Sequence, residues 1–401
     1  MISTAEAEQI ILAHRPDFGV EKCPFRAANG RILAENIVAD RDFPPFDRVT
    51  MDGIALRFAD LEAGCRVFSI AATQGAGERP VGFFPKNACI EIMTGAVCPP
   101  DADTIVQYEF LKIGEGRTAE ILQENIKKGQ NIHQKGHDRR AGDCLVAAGA
   151  CLGPNEIGVA AAVGKTDFWV KKWPKIAVIS SGDELVDAHQ MPLDFQIRRS
   201  NSYTIEAVLQ ARGIAAELRH VPDDLEAVRR ELADCLQNFD AIIVSGGVSA
   251  GKFDHLPLAL ESCGVKKWFH KVRQRPGKPF WFGTFEEKTT VFALPGNPVS
   301  TFMCLLRYFL PWLDAGKNGP EFAVLAEDFH FEPPLDYFLQ VKLHFDASGK
   351  LFAAPIAGNG SGDFANLLEA DAFLELPSAA RSDFRAGEVF RVWRSGFGRF
   401  F

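Results

Sequence analysis

Short apolar runs alternate with one-sided helical patterns between residues 175 and 313. KIAVIS (175–180) and DAIIV (240–244) are predicted to be buried strands, because each is a short apolar run followed by small or polar residues. The segment DDLEAVRRELADCLQNF (223–239) has apolar residues three and four apart, which is typical of a helix with one buried face. Strands that alternate with helices predict a mostly parallel sheet covered on both faces.

Three loops follow predicted strands of this sheet. They are SSGDEL (180–185), SGGVSAG (245–251) and LPGNPVS (294–300). Ligands of parallel α/β sheets bind at the carboxyl ends of the strands, where such loops collect. We therefore expect one ligand site to which all three loops contribute.

The rest of the chain is rich in turns and short β-like runs. Residues 41–138 show little helical periodicity and are predicted to form an inserted β-rich domain. Residues 1–40 and 139–174 flank this insertion and are expected to pack together as one discontinuous N-terminal domain. The α/β domain spans 175–315, and the short strands of residues 320–401 predict a small β-barrel or a sandwich. The predicted fold class is a multidomain α/β plus β protein.

Composition and charge exclude several classes of protein. The chain is 47% hydrophobic and 24% charged, as folded globular proteins are, and no apolar run is long enough to span a membrane. The N-terminus does not resemble a signal peptide, so we expect a cytoplasmic location. Nine cysteines with no CxxC pair argue against a disulfide framework and against a zinc ribbon.

A formal net charge of −8 argues against a nucleic-acid partner. An anionic ligand would therefore need basic groups that are gathered locally. The run KVRQRPGK (271–278) gathers four of them: Lys271, Arg273, Arg275 and Lys278.

The glycine-rich loop 245–251 permits two interpretations. Glycines after a strand let backbone N–H groups converge on an anion, but they also make ordinary tight turns. Asp254 favours the anion site, since a carboxylate beside a phosphate cradle suggests a bridging Mg²⁺.

In the loop LPGNPVS, Asn297 suits a helix N-cap, Pro298 suits the first helical position, and Ser300 adds a hydroxyl. That loop is either a second part of the anion site or only a well-capped helix.

Three carboxylates occupy the positions where a parallel sheet presents its site. Glu184, Asp223 and Asp254 each follow a predicted strand. Asp183 or Glu184 could instead cap the next element, and Asp223 could equally be a helix N-cap. Carboxylates beside basic groups suit a metal-assisted reaction on a phosphate.

The inserted domain carries weaker signals. Asp52 and Thr94 each precede a glycine, as turn residues do. His133 and His137 are four apart and would share a face of a helix, where they could bind a metal ion. Glycines nearby make a helix improbable, so the sequence disfavours a histidine metal site.

Seven motifs occur in the order DRVTMDGIA, IMTGAVCPPDAD, SSGDEL, SGGVSAGKFD, RPGKPFWFG, LPGNPVS and GNGSG. Taken together, they resemble the motifs of the molybdopterin molybdenumtransferase family, which includes MoeA and the C-terminal domain of gephyrin. The resemblance covers the chain from about residue 5 to its end.

The resemblance implies an elongated four-domain homodimer, in which an α/β domain of the molybdopterin-binding type shares its site with the partner's inserted domain. It implies insertion of molybdate into adenylylated molybdopterin, with Mg²⁺ as cofactor and release of AMP. Possible partners are the molybdopterin adenylyltransferase and apo-molybdoenzymes. No membrane or nucleic-acid partner is implied.

Matching the family motifs residue by residue gives the expected site. The catalytic positions are Asp52, Thr94, Asp138, Glu184, Asp223 and Asp254, of which Asp223 and Asp254 hold the metal. The substrate-binding positions are Ser181, Gly182, Gly246, Gly247, Ser249, Gly251, Gly296, Asn297 and Pro298. The molybdate-binding positions are Arg275, Lys278, Ser300 and Ser361.

This chain departs from the family pattern at several positions. Arg275 stands where the family usually has lysine, which keeps the charge and changes its shape. Where the family has NxR and GED, this chain has NIH (131–133) and GHD (136–138). Gln340 stands where the family has an arginine in a C-terminal strand, with Lys342 nearby.

Two other functions remain open. A single α/β domain of this type is also the fold of molybdopterin adenylyltransferases, although the additional β-rich domains favour insertion. A pterin-binding or scaffold protein without catalysis is the second alternative, since gephyrin-like proteins partly serve as scaffolds.

Overall fold

The chain, described by a computed structural model, divides into two compact units. The first unit joins Met1–Gly19 to Lys172–Phe401, and the second unit is Val20–Lys171. The structure describes residues 1–248, 255–316, 319–358, 360–378 and 381–395.

Helix α1 (Thr4–Ala13) opens the first unit. Ser3 and Glu6 form a reciprocal capping box at its start. Its buried residues Ala7 and Ile11 belong to the same hydrophobic core as the α/β sheet. Helix α1 therefore packs with the α/β domain, whereas the sequence analysis placed it in the discontinuous domain of residues 1–40 and 139–174.

The second unit contains a six-stranded sheet and a smaller core. The strands of this unit are β1 (Val20–Pro24), β2 (Ile37–Val38), β3 (Arg48–Val49), β4 (Gly53–Leu56), β5 (Val67–Gln74), β6 (Ala88–Ile92), β7 (Thr104–Gln107), β8 (Leu111–Gly114), β9 (Thr118–Ile121), β10 (Ile132–His133), β11 (Cys144–Val146) and β12 (Asp167–Lys171), and its helices are α2 (Phe58–Glu62) and α3 (Pro154–Ala162). The sheet has the strand order β7-β4-β6-β5-β9-β8, and β1 pairs antiparallel with β12. The smaller core contains residues from both chain ends of the unit, including Leu33 and Phe168.

The α/β part of the first unit contains a six-stranded sheet. The elements of this part are β13 (Ile176–Ser181), β14 (Leu185–Val186), β15 (Ile197–Arg198), α4 (Asn201–Gln210), β16 (Ala216–Val221), α5 (Leu225–Asn238), β17 (Ala241–Ser245), α6 (Leu256–Ser262), β18 (Lys266–His270), β19 (Gln274–Arg275), β20 (Trp281–Phe285), β21 (Thr289–Leu294), α7 (Pro298–Cys304) and α8 (Leu310–Leu313), with a π-helical turn at Leu305–Phe309. The strand order of the sheet is β16-β13-β17-β21-β20-β18. Strands β16, β13, β17 and β21 are parallel. The loops after them therefore collect at one edge, as predicted.

The last part of the first unit is a closed β-barrel. The strands of this part are β22 (Glu321–Leu325), β23 (Phe329–His330), β24 (Asp336–Phe345), β25 (Leu351–Pro355), β26 (Ala372–Leu376), β27 (Asp383–Phe384) and β28 (Val389–Arg394). The barrel strands follow the ring β24-β25-β22-β28-β26, and β26 pairs back to β24. Strand β19 adds to β24 in parallel, so the basic run of the α/β part is hydrogen-bonded to the barrel. The predicted fold class is confirmed, with a barrel and not a sandwich at the C-terminus.

Among the residues that the structure describes, no helix combines the length and the apolar character needed to cross a membrane.

Candidate active site

A cavity of about 510 Å³ lies at the carboxyl edge of the parallel sheet. Loops after β13, β17 and β21 line it, together with residues 274–279 and Ser361. The structure therefore brings together residues from all three loops that the sequence singled out, and it adds the basic run.

Two carboxylates, Glu184 and Asp223, line this cavity. The Ser181 hydroxyl donates to Asp223 Oδ1 at 3.1 Å, which links the ends of two neighbouring strands. Asp224 caps α5, because its side chain accepts from the Ala227 N–H at 2.8 Å. The alternative role of Asp223 as a helix cap is therefore excluded.

Glycines let two loops approach each other closely beside the cavity. Gly246 has φ +103°, and a Cβ atom there would lie 2.8 Å from the Ser181 carbonyl oxygen. Gly247 has φ +69° and also lines the cavity.

Asn201, which the sequence analysis missed, donates to Ser245 Oγ at 2.8 Å and to the Gly296 carbonyl at 2.7 Å. One amide therefore holds the loops after β17 and β21 together.

Asn297 lies at the N-cap position of α7, but its side chain does not cap the helix. Its amide donates instead to Ser361 Oγ at 2.8 Å. Pro298 is the first residue of α7, as predicted. The Val299 N–H donates to the Ser361 carbonyl at 3.2 Å, so Ser361 is held to the start of this helix by two bonds.

Two basic side chains and two hydroxyls complete the lining. Arg275 and Lys278 are exposed residues of the cavity, Ser300 is buried on α7, and Ser361 is partly buried. All four predicted oxyanion-binding positions therefore line the cavity that Glu184 also lines.

Gln274 supports the basic loop from beneath and was not predicted. It is fully buried, its amide donates to the Gly277 carbonyl at 3.1 Å, and the Tyr308 hydroxyl donates to its carbonyl oxygen. Gly277 has φ +85°, and a Cβ there would lie 2.7 Å from Cys304 Sγ. The backbone between Arg275 and Lys278 is therefore fixed by buried contacts.

Tyr308→Phe tests whether the buried hydrogen bond from Tyr308 to Gln274 stabilises the protein at this loop. The change leaves the buried Gln274 carbonyl without its donor, so we expect the free energy of unfolding to fall by about 1–3 kcal/mol. The matched control is Tyr203→Phe, because the partly exposed Tyr203 hydroxyl donates to Asp187 at 2.8 Å and water can replace it. Denaturant unfolding of both variants measures the difference, and equal losses would contradict the support role.

The remaining predicted positions fall into three groups. Gly182 follows β13 with φ +148°, and a Cβ there would lie 2.4 Å from Glu184 Oε2, so this glycine makes room for the Glu184 side chain. Asp52, Thr94 and Asp138 lie in the second unit. Ser249, Gly251 and Asp254 lie outside the residues that the structure describes.

Asp52 and Thr94 are in direct contact. The Thr94 N–H donates to Asp52 Oδ1 at 2.6 Å. This backbone hydrogen bond, with a smaller contribution from the Thr94 hydroxyl, lowers the pKa of Asp52. These hydrogen bonds therefore favour the ionised form of the Asp52 carboxyl group.

Asp138 lies between two imidazoles. Its Oδ1 is 2.9 Å from His133 Nε2 and 3.6 Å from His137 Nδ1. Desolvation acts to raise the pKa of Asp138, but the hydrogen bonds and charges of the two histidines outweigh it and lower the pKa.

Comparison with known proteins identifies the family. Three family models match in sequence order: the MoeA N-terminal region (domain I and II) at residues 2–164, a probable molybdopterin binding domain at 177–315, and the MoeA C-terminal region (domain IV) at 323–394. The chain is 40% identical to the molybdopterin molybdenumtransferase of Synechocystis sp., over 97% of this chain and 99% of that protein. The chain belongs to the molybdopterin molybdenumtransferase family.

Other relatives agree with this membership. The molybdopterin molybdenumtransferase of Staphylococcus epidermidis is 32% identical, over 90% of this chain and 88% of that protein. The crystal structure of the molybdopterin biosynthesis MoeA protein of Pyrococcus horikoshii matches with a TM-score of 0.81 and 29% identity, over 98% of this chain and 99% of that one.

A second cavity, of about 330 Å³, shares Arg275 and Ser361 with the first. Gln340, which the resemblance matches to an arginine position of the family, lines it and accepts a hydrogen bond from Asn366 at 3.2 Å. Lys342 lies 3.4 Å from Asp371 in an ion pair. Position 340 therefore presents a neutral amide to the cavity, while the nearby lysine is engaged elsewhere.

Proposed function

We propose that this chain inserts molybdate into adenylylated molybdopterin and releases AMP in a Mg²⁺-dependent reaction. The chain is a transferase of molybdenum cofactor biosynthesis, like the relatives that it matches. The main support for molybdate insertion as the specific reaction is that Glu184, Asp223, Arg275 and Lys278 all line one cavity. Such a site can bind an anionic nucleotide, an oxyanion and a metal ion side by side.

The glycine loops are the proposed binding site of the pterin nucleotide. Gly246, Gly247 and Gly296 line the cavity with backbone that no Cβ obstructs. Backbone N–H groups in such loops bind phosphates. Asn201 keeps the loops at a fixed separation, so the phosphates meet a preformed site.

The proposed molybdate site uses Arg275, Lys278, Ser300 and Ser361. Molybdate is a tetrahedral dianion, for which guanidinium, ammonium and hydroxyl groups are suitable donors. These groups orient the oxyanion beside the bound pterin, and no nucleophile from the protein is required. Gln274 and Tyr308 contribute indirectly, because their buried contacts fix the backbone between Arg275 and Lys278.

The carboxylates fit the Mg²⁺ that the proposal requires. Glu184 and Asp223 offer oxygen ligands at the cavity, and oxygen is the donor that Mg²⁺ prefers. Asp223, with Asp254 as the second expected ligand, would hold the ion. When bound, Mg²⁺ neutralises charge on the leaving AMP phosphate. The same carboxylates would orient a water for release of AMP.

We further propose a cytoplasmic homodimer, in which the second unit of one protomer completes the cavity of the other. The support is the family resemblance, which assigns catalytic positions to both units. Asp52, Thr94 and Asp138 would act in this shared site.

One assay separates this function from its alternatives. Purified protein receives either adenylylated molybdopterin with molybdate and Mg²⁺, or molybdopterin with ATP and Mg²⁺. Cofactor that activates an apo-molybdoenzyme should form only from the first pair. Adenylylation in the second pair would indicate an adenylyltransferase, and binding of the pterin nucleotide without either reaction would indicate a binding protein.

Gln340→Arg tests the oxyanion side of the cavity. A cation at position 340 is expected to lower the KM for molybdate roughly tenfold, since an added charge-assisted hydrogen bond to a dianion contributes about 1.5–3 kcal/mol before desolvation is subtracted. The control is Lys342→Arg, which keeps the charge of a side chain already paired with Asp371. An unchanged KM in Gln340→Arg would place molybdate away from this residue.

A further inference from the structure

The last residue of β10 and the turn after it bring together two imidazoles and a carboxylate. His133, His137 and Asp138 each offer one ligand atom, and these three atoms all lie within 4.8 Å of one another. Asp138 Oδ1 faces His133 Nε2 and His137 Nδ1. The two distances to Asp138 Oδ1 are 2.9 and 3.6 Å. In a tetrahedral site with metal–ligand bonds of about 2.0–2.1 Å, ligand atoms lie about 3.4 Å apart. The two distances to Asp138 are therefore already near the spacing of a tetrahedral site.

Hydrogen bonds to residues 43–47 hold the backbone of this turn in place. Asp138 N–H donates to the Phe43 carbonyl at 2.9 Å, Gly136 N–H donates to the Pro44 carbonyl at 3.0 Å, and Lys135 N–H donates to Asp47 Oδ1 at 2.8 Å. Gly136 has φ +69°, a conformation that suits glycine. The sequence disfavoured a histidine site because no helix could form here. The turn brings the histidines together without a helix.

We propose that His133, His137 and Asp138 bind one Zn²⁺ ion. Two imidazole nitrogens and one carboxylate oxygen form a ligand set typical of zinc, whereas Mg²⁺ prefers oxygen ligands alone. His137 and Asp138 are exposed, so a water molecule can take the fourth position. Asp138 is also a catalytic position of the proposed function, so the two proposals share one residue, but a Zn²⁺ titration tests the metal site without any assay of turnover.

Arg48 controls the affinity of this site. Its Nη2 lies 3.3 Å from His133 Nδ1, and a guanidinium can only donate, so Nδ1 accepts and Nε2 carries the proton that faces Asp138. A metal ion on Nε2 requires the imidazole proton to move to Nδ1, where it would oppose Arg48. The exposed Arg48 side chain must then turn away. Arg48 therefore weakens the site, and a residue that accepts from Nδ1 should strengthen it.

The test is a Zn²⁺ titration of the full-length protein against a chromophoric chelator. Cys144 and Cys151 are exposed and could bind zinc themselves, so both are replaced by serine in every sample. We expect one equivalent of Zn²⁺ with a Kd in the range of about 1–10 µM. His133→Gln and His137→Gln should each weaken binding at least tenfold, and Arg48→Gln should tighten it severalfold.

A matched control is available within the chain. His189 lies 3.2 Å from Asp187 but has no third ligand among the described residues, so His189→Gln should leave the titration unchanged. Binding that persists in the His133→Gln/His137→Gln double variant would overturn the proposal. Absence of binding at about 100 µM Zn²⁺ would overturn it as well. Circular dichroism of each variant verifies that the fold is retained.

Discussion

Asp223→Asn should lower the rate of molybdate-dependent AMP release by about a hundredfold or more and leave the fold intact. The carboxylate of Asp223 lines the cavity and accepts from Ser181, and no helix cap depends on it. Asparagine keeps the shape and loses the charge that the proposed metal site requires. Loss of a single preorganised electrostatic group commonly lowers turnover by about 10²–10³. Initial rates at saturating substrates measure the effect.

The neighbouring residue supplies the control for this variant. Asp224→Asn changes the N-cap of α5, and asparagine caps a helix as well as aspartate does. Its rate should stay within about twofold of the wild-type rate, because the cavity is untouched. A near-normal rate in Asp223→Asn would remove this residue from the proposed site.

Arg275→Gln should raise the KM for molybdate by about 10–100-fold, with a smaller effect on kcat. The guanidinium lines both cavities, and loss of a charge-assisted hydrogen bond costs about 1.5–3 kcal/mol. An interaction that holds substrate and transition state alike appears mainly in KM. Arg275→Lys keeps the charge and should show a smaller increase.

Arg273→Gln is the control for Arg275. Arg273 is exposed in the same basic run but does not line either cavity. Its replacement lowers the net charge by the same amount, so any long-range effect of charge is matched. Equal increases of KM in the two variants would mean that the oxyanion responds to the overall charge and not to Arg275.

The arrangement of the site loops could be predicted because it depends on local patterns. Buried strands such as β13 and β17 are short apolar runs, and their parallel pairing brings the loops after them to one edge. The glycines and carboxylates of the cavity lie in those loops. Their grouping therefore follows from strand direction alone.

Other features depend on contacts between distant parts of the chain. Tyr308 and Gln274 meet in the core, and Asn201 holds two loops that follow other strands. Neither contact leaves a periodic signal in the sequence. The assignment of the helix cap to Asp224 and not Asp223 was equally hidden, because adjacent aspartates are equivalent until the first turn of α5 is placed.

The cluster of His133, His137 and Asp138 shows a different limit of prediction from sequence. The spacing of His133 and His137 was judged by helical geometry, in which residues four apart are neighbours. A glycine turn held against residues 43–47 brings them together with Asp138 instead. Sequence spacing alone cannot reveal such a turn, because the contacts that hold it come from another segment.

The most direct test of the proposed function is AMP release measured as molybdate is varied, at a fixed concentration of adenylylated molybdopterin with Mg²⁺ and without ATP. The account predicts a saturable dependence on molybdate, with one AMP released for each molecule of active cofactor formed. AMP release that is the same with and without molybdate, or no release when the pterin nucleotide is bound, would contradict it.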